Sequence, residues 1–291
     1  MKTLDIIGCG KLGSTLAKLW TDLELVQVRS ILNRSTQSGR RAAEFVGAGR
    51  PIDDYAQLEP ADVMMIASPD EAVEQCCLEL CRTEVLADGV TLFHCSGSLP
   101  STLLKPARQR GAVIASLHPV KSFADPAAAV ATFSGTFCAV EGEPAACDVI
   151  RELLKPCGAI PFQVESQFKT IYHAATVIVC NYLVALMEVG LKCFEKAGIP
   201  RATAEKIIEP IVRGTVDNVF RLGPVEALTG PIARGEVSVV EAEVADLSAW
   251  NDLIGRIYSE LGHVAVDLSA AQGTASADAL AAIEDALRKS R

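Results

Sequence analysis

Leu4-Asp5-Ile6-Ile7-Gly8-Cys9-Gly10-Lys11-Leu12-Gly13 decides how the rest of the chain is read. The apolar run predicts a buried strand. It breaks into Gly8-x-Gly10-x-x-Gly13, and apolar spacing through Leu16, Leu19, Trp20 and Leu23 predicts a helix directly after it. Strand, glycine turn and helix in that order form the dinucleotide-binding fingerprint. Gly8 permits the tight turn, Gly10 has no side chain to hold a pyrophosphate away, and Gly13 lets helix and strand pack closely. The free N–H groups at the helix start, with the helix dipole behind them, favour an anion. Gly8, Cys9, Gly10, Lys11, Leu12 and Gly13 are therefore the candidate phosphate-binding residues.

Working outward, Val26–Leu32 alternates like a second strand and ends at Asn33-Arg34-Ser35-Thr36. An acidic residue at this place would bind the ribose hydroxyls of NAD. Here there is none, and Arg34 between neutral neighbours suits a 2′-phosphate. Asn33, Arg34 and Ser35 join the candidate cofactor set, with NADP as the cofactor; Ser35 or Thr36 can cap the next helix at the same time.

Buried strands follow at Ala61–Ala67, Val90–His94 and Ala112–Leu117. They end at Ser68-Pro69-Asp70, Cys95-Ser96-Gly97-Ser98 and His118-Pro119. Ligands of open α/β sheets lie outside the carboxyl ends of the strands. Ala67, Ser68, Pro69 and Ser96 are placed for the cofactor, and Ser96, Gly97 and His118 for the substrate. Thr136–Val140 and Ile160–Val164 read as two more strands around a helix from Glu143, and Pro161 puts the last strand at an edge.

Composition narrows the class. The 291 residues carry 27 Lys and Arg against 36 Asp and Glu, a net charge of -9, which argues against nucleic acid or an anionic membrane as partner. Ten cysteines are scattered without a C-x-x-C pair, so they read as small buried hydrophobes and not as a metal site. Met1-Lys2 leads straight into a strand, so no leader and a cytoplasmic location are expected.

From Glu165 the pattern turns helical, giving two expected domains, 1–164 and 165–291. A long helix is predicted from Ser166 or Gln167 to Ala197, with a wide apolar face that should make it the central buried helix. The next helix, Arg201 to Arg221, contains Pro210, which should kink or split it. Two more are expected at Val239–Leu261 and Ala275–Arg288. Lys169 and His173 stand at i, i+4 on one face of the long helix, at the junction of the two halves. A Lys or His beside a hydride acceptor can deliver the proton that carbonyl reduction needs, so both are candidate catalytic residues.

These motifs bear a resemblance. Gly8-Cys9-Gly10-Lys11-Leu12-Gly13, Ser116-Leu117-His118-Pro119, Lys169-x-x-x-His173 with Asn181-Tyr182, and Leu228-Thr229-Gly230-Pro231-x-x-Arg234-Gly235 are involved. In them the chain resembles, along essentially its whole length, Rossmann-like oxidoreductases with a C-terminal domain of unknown function. These are relatives of the β-hydroxyacid dehydrogenase, ketopantoate reductase and pyrroline-5-carboxylate reductase superfamily. The resemblance implies a doubly wound Rossmann α/β sheet followed by an all-α domain like that of 6-phosphogluconate dehydrogenase, and a homodimer formed through the helical domain. It implies that Lys169 is the general acid or base, with His173 where an Asn is expected, and that Asn181 and Thr229 contact substrate. The expected activity is NADP-dependent reduction of a small carbonyl or oxidation of a hydroxy acid, a ketopantoate-like 2-oxo acid first. An imine or pyrroline reductase, or a non-catalytic NADPH sensor, are the alternatives.

Overall fold

A computed structural model describes residues 1–289. The chain divides into two compact units, Met1–Asn181 and the residues from Tyr182 onward. The composition shift at 164/165 therefore precedes the division, because the first turns of the long helix pack on the sheet.

The first unit is built on an eight-stranded sheet: β1 Lys2–Ile7, β2 Val26–Leu32, β3 Arg50–Ile52, β4 Val63–Ile66, β5 Thr91–His94, β6 Val113–Pro119, β7 Phe137–Gly142 and β8 Ile160–Gln163. Their order is β3-β2-β1-β4-β5-β6-β7-β8. All neighbours are parallel except β6 and β7, which run antiparallel. The order reverses between β1 and β4, so the glycine turn after β1 opens at the switch point where such sheets bind ligands. The register of β1 on β2 shifts between Leu4 and Asp5. There the buried Asp5 carboxyl accepts the Ser30 N–H at 2.9 Å, and burial pushes this carboxyl above its ordinary range. Pro161 sits on the edge strand β8, as expected. The three-residue β3 and the helix Pro126–Ala131 carry too little pattern to be read from sequence.

Helices cover both faces. α1 (Lys11–Asp22) buries Leu16, Ala17 and Trp20 against the sheet, with Trp20 edge-on to Phe93. α2 (Thr36–Val46) begins at Ser35, whose hydroxyl accepts the Ser38 N–H, and ends on Gly47 in the left-handed conformation. α3 (Asp70–Cys81) opens with Asp70 and Glu71, favourable at the positive helix end.

The long helix, Ser166–Lys196, corrects one expectation. It starts as a 3-10 turn, contains a π turn at Val177–Asn181, and is not a buried core helix. Along Tyr182–Lys196 Leu191 is the buried residue, and Val184 is 70% exposed. Its apolar face is wider than the neighbouring helices of this chain can cover. In length and hydropathy it could cross a membrane, yet its first turns rest on β6 and β7.

The second unit continues with helices Arg201–Leu222, Val237–Trp250, Asp252–Gln272 and Ala277–Arg288. Arg201–Leu222 runs unbroken through Pro210, so the expected split does not occur. The single helix expected at Val239–Leu261 is two, because Asn251 leaves helical geometry and caps the second through the Ile254 N–H at 3.2 Å.

Candidate functional site

The glycine turn gives each of its glycines a different task. Gly8 has φ +81°, and a Cβ there would lie 2.6 Å from the Ser68 backbone nitrogen. A Cβ at Gly13 would meet that of Ala67 at 3.0 Å. Gly8 and Gly13 thus bring the start of α1 against the Ala67-Ser68 end of β4. Gly10 is the opposite case: a Cβ there meets no atom within 4 Å, and the residue is exposed. The space over Gly10 is open.

α1 has no side-chain cap and no acid in its first turn, so its leading N–H groups, at Lys11 and Leu12, remain for an anion. The Cys9 N–H is committed elsewhere, donating to Asn33 Oδ1 at 2.7 Å. Burial pushes the Cys9 thiol up to about 11, so it stays protonated. Asn33 and Ser35 of the candidate cofactor set thus have structural duties, one tying the glycine turn to β2 and the other capping α2. Arg34 is exposed and has no hydrogen bond or ion pair among the described residues. The residues present fit a dinucleotide.

A second constellation lies at the ends of β5 and β6. Ser116 and His118 alternate with apolar neighbours and share one face of β6. On β7, Glu141 stands directly opposite Ser116, and Ala139 opposite His118. The start of the long helix brings Lys169, Tyr172 and His173 over this face.

Lys169 and His173, the two candidate catalytic residues on one face of the long helix, are placed differently. Lys169 is 1% exposed. Its ammonium donates to Ser116 Oγ and, at 3.3 Å, to Glu141 Oε1. Glu141 also accepts the Ser101 N–H at 2.6 Å, the Ser101 hydroxyl at 2.7 Å and the Ser166 hydroxyl. Burial works against the Glu141 carboxylate, but the Ser166 and Ser101 bonds and the Lys169 charge outweigh it and hold the carboxyl below its usual range. Burial lowers the Lys169 ammonium from its ordinary value, with Glu141 opposing.

His173 points elsewhere. A Cβ at Gly97 would lie 2.7 Å from His173 Nδ1 and 2.8 Å from His118 Nε2, so both rings converge on the loop after β5. This close approach is possible because Gly97 has no side chain. His173 Nδ1 is buried without a hydrogen-bond partner. His118 Nδ1 lies 2.8 Å from the Tyr172 hydroxyl. Burial, with the nearby His173 and Lys169, pushes His118 down to about 4, so it is neutral at pH 7. Burial raises the Tyr172 phenol to about 12.

Ser96 is not a free substrate donor. Its hydroxyl donates to Asp70 Oδ2 at 2.8 Å and accepts the N–H groups of Ser98 and Leu99. One donor and two acceptor sites are then used. The Ser98 hydroxyl also donates to Asp70, at 2.7 Å. Below them the Ser96 N–H donates to His94 Nδ1, which leaves Nε2 of that ring as the donor towards the Pro100 carbonyl at 3.3 Å. Pro69 precedes α3 beside this cluster. Asn181 is exposed in the π turn, and Thr229 belongs to the second unit, where it lines an apolar cavity of about 570 Å³. The structure therefore joins Gly97, His118 and His173, and adds Tyr172 and Glu141, together with Ser116 and Asp70, which stood in quoted stretches without a role assigned. Glu141 did leave a signal, as one acid inside the apolar strand Phe137–Gly142. Among the described residues no group of three or more His, Cys, Asp or Glu side chains could hold a metal ion.

Comparison with known proteins agrees with this architecture. Residues 2–119 match the family model of the Rossmann-like domain, and residues 136–265 match that of a domain of unknown function, DUF2520. No curated protein matches the sequence. Among solved structures, protein TM1727 from Thermotoga maritima is similar at TM-score 0.74 and 24% identity, over 92% of this chain and 99% of that one. BF3122 from Bacteroides fragilis, provisionally named an NADP oxidoreductase, is similar at TM-score 0.69 and 20% identity, over 89% and 96%. A variant imine reductase from Myxococcus stipitatus, in complex with NAD+, follows at TM-score 0.64 and 17% identity, over 97% and 99%.

Proposed function

We propose, for a chain that joins a Rossmann-like domain to a DUF2520 domain, an NADP(H)-dependent oxidoreductase acting on a small C=O or C=N group. The observation that carries the reading is the pairing of two features in one sheet. One is a glycine turn open over Gly10 at the switch point; the other is a pair of imidazoles converging on Gly97 at the end of β5. Arg34, exposed and unpaired with no acid at its position, supports NADP over NAD.

When bound, the reduced nicotinamide supplies a hydride. Gly10 and the first N–H groups of α1 would hold its diphosphate. Hydride addition builds negative charge on the substrate heteroatom, and His118 Nε2 stabilises it. A neutral imidazole can act as such a donor. His173 hands over the proton. Lys169 is assigned a supporting role: its buried ammonium places positive charge beneath the site without touching substrate. Between C=O and C=N, the similarity to an imine reductase brings cyclic imines level with 2-oxo acids. For the exposed apolar face of the long helix we propose cover by a second copy of the chain.

Absorbance of NADPH, followed while 2-oxo acids and cyclic imines are added to the purified protein, tests the reading. Loss of absorbance with one class is expected, and Arg34→Ala should weaken NADPH about ten- to hundredfold more than NADH, the worth of one charge-assisted contact. Binding of neither nucleotide would remove the proposal. Tight NADPH binding with no turnover on any compound would favour the sensor.

A further inference from the structure

We propose that Tyr172 is a positioning residue that fixes the tautomer of His118, so that His118 presents Nε2–H, a donor, at the substrate site. The inference rests on reading the surface around Gly97 as that site.

A neutral imidazole has one N–H and one acceptor nitrogen, and whatever holds one nitrogen decides what the other can do. His118 Nδ1 is held by the Tyr172 hydroxyl at 2.8 Å. His118 Nε2 has no protein partner among the described residues and is not one of the buried unpartnered atoms, so it keeps contact with solvent. The free nitrogen is therefore the one beside Gly97.

Two arrangements satisfy the Tyr172 contact. Either the phenol donates to Nδ1, leaving Nε2–H, or Nδ1–H donates to the phenol oxygen, leaving Nε2 a bare acceptor. The surroundings favour the first. The phenol must send its proton somewhere, and Nδ1 is the protein acceptor within its reach among the described residues. Tyr172 is fixed by its own packing, edge-on to Phe162 at 6.0 Å and to His118 at 5.7 Å. Its i+3 place after Lys169 lets the buried Lys169–Glu141 pair anchor the same helix turn.

Burial first, then the charges of His173 and Lys169, disfavour protonation of His118, and Asp70 favours it. Tyr172 acts with burial, because a bond donated to the neutral ring stabilises that form. An Nε2–H donor beside the unpartnered His173 Nδ1 selects a reacting group with a lone pair. Carbonyl oxygens and imine nitrogens both qualify, while a protonated iminium or an ammonium does not.

The test reads the tautomer directly, before any substrate is known. Long-range proton–nitrogen NMR of protein labelled in histidine should show wild-type His118 as the Nε2–H form at pH 7. In Tyr172→Phe, which keeps the ring but removes the hydroxyl, the Nδ1–H form should appear and the His118 titration should move up in pH. A wild-type His118 protonated at Nδ1 would overturn the proposal, and so would a Tyr172→Phe spectrum and titration unchanged from wild type. Neither result depends on the enzymatic reading. Where NADPH turnover is found, Tyr172→Phe should lower kcat about ten- to hundredfold with the NADPH Kd unchanged, and should shift the acid limb of the pH profile upward. A loss with no shift of that limb would mark Tyr172 as packing alone and count against the proposal.

Discussion

Gly10 differs from the glycines on either side of it in what a side chain would strike. At Gly8 and Gly13 the added atom meets the Ala67-Ser68 end of β4, so substitution there disturbs the fold and the site together. At Gly10 it meets nothing. Gly10→Val should therefore melt within a degree or two of wild type and lose nucleotide binding, since the valine fills the space over the turn. Titration calorimetry showing normal NADPH binding in this variant would mean that the fingerprint holds no phosphate. Glu141 offers the converse, a residue whose loss is structural. Glu141→Gln leaves the buried Lys169 ammonium without its counter-charge and should cost about 3–5 kcal/mol in urea unfolding, the usual penalty for breaking a buried pair from one side. The pH dependence has a definite sign. The folded Glu141 carboxyl is held below its ordinary value, so its stabilisation is present above about pH 4.3 and is lost as pH falls through the lower folded value. His94, pushed down to about 4 by burial and the Lys169 charge, loses its contribution earlier, as pH falls from about 6.5 towards 4. Wild type minus Glu141→Gln should isolate the more acidic window; a difference that does not vary between pH 5 and 3 would show that Glu141 is not the titrating group.

At the scale of elements, the sequence was most legible where pattern and punctuation coincide. Val26–Leu32 is the strand its alternation predicts, and Pro161 lies on the edge strand β8. The glycine turn was readable because each glycine answers to local geometry. The cross-strand pair Ser116–Glu141 was not, because it depends on β6 and β7 being antiparallel and on their register. Apolar strands read alike in either direction. Tyr172 was silent for a related reason: an aromatic residue inside an apolar helix looks like core until the strand beneath it is known. The apolar spacing around Trp250 runs on without interruption, and so hid the break at Asn251. The break rests on one side chain that takes up the Ile254 N–H. Asn251→Ala should lower stability by about 1 kcal/mol, seen as a lower urea midpoint with an unchanged slope. A loss below about 0.3 kcal/mol would mean that packing of the two helices sets the break without the cap.

For the whole molecule, the helical unit carries apolar side chains on its surface. On the long helix Ile178, Val179, Tyr182 and Val184 are 58%, 67%, 61% and 70% exposed, and on the next helix Ile211 and Phe220 are exposed on opposite faces. Exposed apolar side chains of this kind are costly in water, and this is the ground for the second copy proposed above. A bilayer is a poor partner, because charged pairs sit on the same helices. Arg201 bonds Glu188 at 2.5 Å, and Arg213 bonds Glu209 at 3.0 Å. A groove of about 650 Å³ between these helices is lined by Leu191, Ile208 and Val212 together with Glu209, Arg213 and Asp217. Hydrocarbon would strip such charges of water, whereas a second protein surface bearing the same mixture can pair them. A second copy meets that need by symmetry. Light scattering after size exclusion should therefore give twice the chain mass of 30.9 kDa at micromolar concentration. Val184→Asp costs this chain little on its own, since the side chain is exposed, but should shift the species to the monomer and leave the NADPH affinity within about threefold. A wild-type monomer at those concentrations would refute the second copy. Sedimentation of the wild type with neutral lipid vesicles, abolished by Val184→Asp, would instead make the bilayer its partner.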